Sequence, residues 1–218
     1  ACAVARIAYK VYLERADVPA SYEVVVDGQD GALLFRYNTT QYVQTNGLVF
    51  PEHPGASANV PTNVPFYDDT VLVDPRWPLG WATADRSIGN VADVKEDWVS
   101  DNEATIGQRS FDFTPGPPFF FQDPWTNSFA STGDPTGDSY FAITNLFYFA
   151  NRYHDWLYAY GFDEPAGNWQ RSNFGRGGRE NDMLFVDAQD GRLRGLSNNA
   201  NMQSAQDGLN PRAQFYLF

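Results

Sequence analysis

One stretch of this chain leaves the backbone little choice. Between residues 138 and 161, Ile143, Leu146, Phe147, Ala150, Tyr153, Leu157 and Tyr160 recur at steps of three and four, with Asn145, Asn151, Arg152 and Asp155 mostly between them. That periodicity predicts one buried amphipathic helix, with Asp138 or Ser139 as N-cap and Gly161 as its stop. The rest of the chain lacks helix signal. Residues 1–45 read as antiparallel β. Ile7, Tyr9, Val11 and Leu13 alternate with Ala8, Lys10 and Tyr12, and the runs 22–26 and 32–37 flank the turn Asp27-Gly28-Gln29-Asp30-Gly31. Gly and Asp accept the positive φ that a tight hairpin needs.

Residues 46–80 are punctuated by Pro51, Pro54, Pro61, Pro65, Pro75 and Pro78, which predicts an extended connection and a domain boundary. Short strands and long loops are expected over 81–137. Met183-Leu184-Phe185-Val186 reads as a strand, as does Gln214-Phe215-Tyr216-Leu217-Phe218. The fold class is therefore α+β: β-rich, with one long buried helix.

Composition narrows the chemistry. Apolar residues make up 43% of the 218 and aromatics 16%, enough to bury a real core. No apolar run approaches the ~20 residues that span a bilayer. A net charge of −12 argues against nucleic acid as a partner. The single Cys2 excludes a disulfide framework, and His53 and His154 stand too far apart to form a His-x-x-x-His pair. No catalytic residue and no metal ligand is assigned in this chain. His154, an isolated helical His, reads as a packing residue or as support for a neighbouring group rather than as a ligand.

Three polar clusters remain. Asp93, Glu96, Asp97, Asp101, Asn102 and Glu103 are oxygen-rich enough for calcium, although their spacing is not that of an EF-hand and a solvated acidic loop is the simpler reading. Gly175-Arg176-Gly177-Gly178 lacks the Lys-Ser/Thr of a phosphate-binding loop and reads as a tight turn. Asn198-Asn199-Ala200-Asn201 suggests a turn or an irregular edge. The chain opens without Met and closes in strand-like sequence, so both ends are expected to be cuts through something longer.

The run from Asn145 to Glu164 resembles the first long helix of the fungalysin family, secreted zinc metalloendopeptidases related to thermolysin. The likeness continues through Ala166-Gly167-Asn168-Trp169-Gln170, Asn173-Phe174-Gly175-Arg176-Gly177-Gly178, Ala188-Gln189-Asp190-Gly191, Asn198-Asn199-Ala200-Asn201, Asp207-Gly208 and Pro211-Arg212. An ordered series over roughly seventy residues is far more specific than one short motif. Upstream, Val49-Phe50-Pro51-Glu52 and Pro78-Leu79-Gly80-Trp81 are similar to the opening of the mature enzyme, and the hairpin at 27–37 to the end of its inhibitory propeptide.

The resemblance implies a domain plan and a role. Residues 1–45 would be the end of the propeptide, 46–80 the connection, and 81–218 the N-terminal, β-rich part of a thermolysin-like catalytic domain, with processing somewhere around 38–50. The family's zinc rests on His-Glu-x-x-His and a further Glu, all expected outside this chain, so the chain alone is expected to be inactive. The family binds peptide by adding it to an edge strand beside the zinc, through an Asn-Ala pair. Asn199 and Ala200 match that pair and are the predicted substrate-binding residues. The implied partners are a peptide or protein substrate and the C-terminal zinc-binding part of the same protease, in a secreted setting. The alternative is a non-catalytic scaffold or binding protein derived from a truncated protease.

Overall fold

The computed structural model describes residues 7–14, 21–38, 45–52, 60–66, 81, 86–105, 119–121 and 123–218. They divide into two compact units, one holding the described residues up to 38 and the other those from 45 onward. In the first, β1 (Ala8–Glu14), β2 (Ser21–Asp27) and β3 (Leu33–Asn38) form an antiparallel sheet in the order β1-β2-β3. The predicted turn is present. The Gly31 amide donates to the Asp27 carbonyl at 3.0 Å, Asp27 Oδ1 accepts the Gln29 amide at 2.8 Å, and Gly31 takes φ 72°.

The second unit carries β4 (Thr45–Val49), β5 (Thr62–Pro65), β6 (Ala92–Glu96), β7 (Phe119–Phe121), α1 (Ser128–Thr132), α2 (Ser139–Ala159), β8 (Leu184–Ala188), β9 (Ala200–Gln203) and β10 (Arg212–Phe215). Two sheets result, ordered β5-β4-β7 and β6-β8-β10-β9. Where residues of the proline-rich stretch are described, they are more than a connection. β4 pairs antiparallel with β5, and Val49, Phe50 and Phe66 are buried. Pro65 is compatible with this because β5 is an edge, where a missing amide costs no ladder bond.

In the four-stranded sheet β6, β8 and β10 run parallel, and β9 returns antiparallel to β10. Period-two alternation gives this sheet two unlike faces. Ala92, Val94, Leu184, Val186, Ala213 and Met202 share the apolar face, whereas Arg212 pairs with Asp187 at 2.5 Å on the other. α2 lies over β6 and β8 on the apolar side and also touches β4, so one helix ties the two sheets together.

The helix itself departs from its predicted stripe. Ile143 and Phe147 are fully buried, but so are Asn151 and His154, whereas Tyr153 and Tyr160 are 53% and 77% exposed. Asn151 Nδ2 donates to the Phe147 carbonyl at 2.8 Å, whereas its Oδ1 has no partner among the described residues. Asp138 stands at the N-cap position without capping the helix. Its carboxylate instead accepts the amides and hydroxyls of Thr126 and Ser128, at 2.6 to 3.0 Å. Burial pushes that carboxyl up, but these four donors outweigh burial and hold it below its ordinary value. The stop at Gly161 is as predicted: φ is 95°, and Phe162 N–H reaches back to the Leu157 carbonyl at 3.1 Å.

Around α2 the core is aromatic. Phe66 packs against Trp81, Phe147 and Tyr148 with ring centroids 5.7 to 6.4 Å apart. Gly89 lets the Trp81 backbone approach, since a Cβ there would stand 1.7 Å from the Trp81 carbonyl oxygen.

The acidic run at 93–103 is not the solvated loop expected. Glu96 and Asp97 are completely buried, and only Asp101, Asn102 and Glu103 are exposed. Glu96 follows Ala92 and Val94 in the strand's alternation, which turns it inward. Neither of its oxygens has a hydrogen-bond partner among the described residues. Burial raises its pKa from 4.5 to about 7, against smaller opposing pulls from Ser139, Arg192 and Trp98.

Two predictions follow from this packing. Gly89→Ala should lower the thermal midpoint by roughly 3–10 °C, because backbone rather than a flexible side chain must move; an unchanged midpoint would mean that Trp81 yields freely. Folding raises the Glu96 pKa, so its contribution to stability is complete below 4.5 and is lost as pH climbs through about 7. Glu96→Gln keeps the shape without needing that proton. It should flatten the decline in midpoint between those values and leave the variant more stable above them, by up to roughly 3 kcal/mol. Parallel pH profiles for the two proteins would show that Glu96 is ionised when folded.

Candidate functional site

The predicted pair Asn199-Ala200 stands at the outer edge of the four-stranded sheet. Among the described residues β9 pairs with β10 alone, in the register Ala200↔Phe215, Asn201↔Gln214, Met202↔Ala213 and Gln203↔Arg212, and all four of its residues are exposed. The edge is entered through Asn198, in the left-handed region at φ 55°, whose amide donates to the Leu217 carbonyl at 2.5 Å. Asn tolerates that conformation better than most residues.

Beyond it, the Tyr216 amide donates to the Asn199 carbonyl at 3.1 Å, so Asn199 presents its backbone to β10. Alternation along a strand then turns the Ala200 amide and carbonyl to the open side. The Asn199 side chain covers that amide, Oδ1 accepting it at 2.9 Å. The Ala200 carbonyl is left as an outward acceptor, and Asn199 Nδ2 finds no acceptor among the described residues. An acceptor and a donor side by side on an open edge suit the backbone of an extended peptide. One further bond holds the edge, from Asn201 Nδ2 to the Tyr216 hydroxyl at 3.0 Å.

The other polar candidates have structural work. His154 is fully buried, its Nε2 3.3 Å from Asn168 Nδ2 and its Nδ1 3.5 Å from Asp155 Oδ1. Asp155 Oδ2 accepts the Trp81 indole N–H at 2.8 Å. The adjacent residues thus serve the loop after the helix and the segment before β6. Asn168 also donates to Gln170, and Gln170 to Glu164, whose carboxylate receives Tyr158 at 2.6 Å and Arg176 at 2.9 Å. Gly175–Gly178 is the tight turn expected: a Cβ on Gly178 would lie 2.1 Å from the Glu164 carbonyl.

Asp97 of the acidic run belongs to a group that the sequence does not assemble, with Asp187 and Asp190. Asp97, Asp187 and Asp190 are all buried, and burial together with the charges of Asp97 and Asp187 raises Asp190 to about 6. Only the alternation of β8 and the Asp-Gly turn after it hinted that these carboxylates face inward. Among the described residues no group of three or more His, Cys, Asp or Glu is disposed to hold a metal ion, and no helix is long and apolar enough to cross a membrane. His53 lies outside the described residues.

Comparison with known proteins gives this edge a family. The model of the fungalysin metallopeptidases (M36) matches residues 59–218. Extracellular metalloproteinase 3 of Trichophyton rubrum is 32% identical, and its namesake in Arthroderma gypseum 30%, each over 91% of this chain and 34% of the relative. That of Arthroderma otae reaches 46% identity over 44% of this chain and 14% of its own length. The chain spans about a third of the length of the curated relatives it matches over most of its own. The family resemblance carried by the helix and the motifs after it is thereby established: the chain belongs to the fungalysin metallopeptidase family.

Proposed function

We propose that this chain is the N-terminal portion of a secreted, zinc-dependent metalloendopeptidase, in which it supplies the edge strand that receives peptide substrate. The observation that carries the reading is β9, an edge whose residues are all exposed and whose Asn199-Ala200 pair offers one donor and one acceptor outward. On this reading residues 1–45 are the end of an inhibitory propeptide, 46–80 lead into the enzyme, and 81–218 begin the catalytic domain. The division of the described residues between 38 and 45 supports a boundary near the first of these limits.

The zinc ligands lie beyond residue 218, in keeping with relatives about three times longer than the matched stretch. The residues here hold and orient substrate, and the chain alone is inactive. Secretion rests on the relatives, which are named extracellular. The C-terminal, metal-holding part of the same protein is the partner this reading requires.

In the full-length protease, Asn199→Ala should lower kcat/KM on peptide substrates by roughly ten- to a hundred-fold, the loss of about 1–3 kcal/mol of transition-state binding, with the thermal midpoint unchanged. Chelation of the metal should abolish cleavage of the same peptides. Wild-type kinetics in the variant would remove Asn199 from the site, and cleavage that survives chelation would remove the zinc.

A further inference from the structure

Asp97, Asp187 and Asp190 are completely buried, and each keeps one oxygen, Oδ1, without a hydrogen-bond partner among the described residues. Their other oxygens are engaged. Asp97 Oδ2 accepts the Asn102 amide at 2.6 Å, and Asp187 Oδ2 accepts Arg212 at 2.5 Å. Asp190 Oδ2 accepts Gln214 Nε2 at 2.9 Å and the Ser100 hydroxyl at 3.3 Å. The three carboxylates are close enough for Asp97 and Asp187 to act on Asp190 through their charge.

The charges around them do not balance. Two cations face the group, Arg212 from β10 and Lys95 from β6. β9 adds no charged residue. Asp93 is on the same face of β6 but stands opposite Phe185, and Glu96 alternates to the other face, where Arg192 is its charged neighbour. Three carboxylates against two cations lack one positive charge, and three unpartnered oxygens lack a donor. A single proton supplies both, because a protonated carboxyl donates to a neighbouring carboxylate.

The group also lies where the edge strand is anchored. The Asp190 amide donates to the Phe215 carbonyl at 3.0 Å, and its carboxylate holds Gln214. Phe215 and Gln214 are the β10 partners of Ala200 and Asn201, and Arg212, held by Asp187, is the partner of Gln203. The strand that carries β9 is thus itself held by Asp187 and Asp190.

We propose that Asp97, Asp187 and Asp190 form a proton-operated latch behind the strand that a peptide joins, closed when one of them is protonated and loosened when all three are ionised. Its effect on peptide rests on the reading of β9 as the substrate edge; the latch itself does not. Burial and the neighbouring carboxylates favour a proton on Asp190, raising its pKa from 3.8 to about 6. Folding raises this pKa, so the stabilisation is complete below 3.8 and is lost as pH climbs through about 6. An opening that exposes Asp190 therefore becomes about tenfold easier between roughly pH 5 and pH 7.

Amide hydrogen exchange in the full-length protein tests the latch. Protection of the β9 and β10 amides, corrected for the intrinsic pH dependence of exchange, should fall about tenfold over that interval. Asp190→Asn keeps the shape and brings an Nδ2 donor in place of the proton, so its protection should stay level. A wild-type profile as flat as the variant's would overturn the proposal. So would protection restored at neutral pH by millimolar calcium in the wild type alone, which marks a metal ion as the missing cation.

A second measurement needs no variant. In wild-type protein labelled with carbon-13 aspartate, one carboxyl should titrate near pH 6. Titration of every aspartate in the ordinary range, near 3.9, would overturn the latch. In the protease, KM for peptides should rise several-fold over the same pH interval in the wild type and stay level in Asp190→Asn. The expected exchange profile with an unmoved KM would support the latch and remove β9 from the substrate site.

Discussion

The second unit is organised by the packing of α2 between two sheets. Ile143 and Phe147 are the contacts that make this possible, both fully buried, with Phe66, Trp81 and Tyr148 filling the space beside them. Burying side chains of this size is worth about 1.5–3 kcal/mol each. The helix also fixes the ends of segments that have no regular structure of their own. Phe50 N–H donates to Asn145 at 2.9 Å, Trp81 to Asp155, and Asn168 reaches His154. A stretch as irregular as 162–182 is thereby wired to the helix through buried Glu164, Gln170 and Asp182, which satisfy one another and the backbone.

Much of this was legible in the sequence, for identifiable reasons. α2 was found, and its stop at Gly161, because period 3.6 over twenty residues has no competing reading. The Asp27–Gly31 turn was found because positive φ narrows the choice of residue. The proline-rich stretch concealed β4 and β5, since edge strands accept a residue that normally signals a break. Glu96 and Asp97 were misplaced because a run of carboxylates looks solvated. Alternation with Ala92 and Val94 was the better guide, and it outweighs charge when neighbouring strands fix the face. The single apolar stripe assigned to α2 proved to be two, one packed and one open. A count of apolar residues cannot separate them, because both follow the same three- and four-residue steps.

The candidate site was legible only in part. The residue types in Asn198–Asn201 suggested an irregular edge, and the structure has one. That Asn199 and Ala200 would face substrate came from the family resemblance alone. The structure adds a local reason for the pairing: the Asn199 side chain occupies the Ala200 amide and leaves the adjacent carbonyl open. Asn suits this place because a single amide group both accepts and donates. An Asp there could accept the amide but would bring no donor to the edge.

The order of strands in the larger sheet bears on how the protein is made. Residues 87–89 bond to one side of β6, but its other side waits for β8: Ala92 pairs with Leu184, about ninety residues further on, and β10 then inserts between β8 and β9. Parallel pairing over such a span forms slowly, because a long loop must close before any ladder bond rewards it. During synthesis one edge of β6 is therefore uncovered, on a strand carrying Glu96, whose charge opposes intermolecular pairing as edge charges commonly do. The carboxylate that strains the finished core would guard the unfinished one.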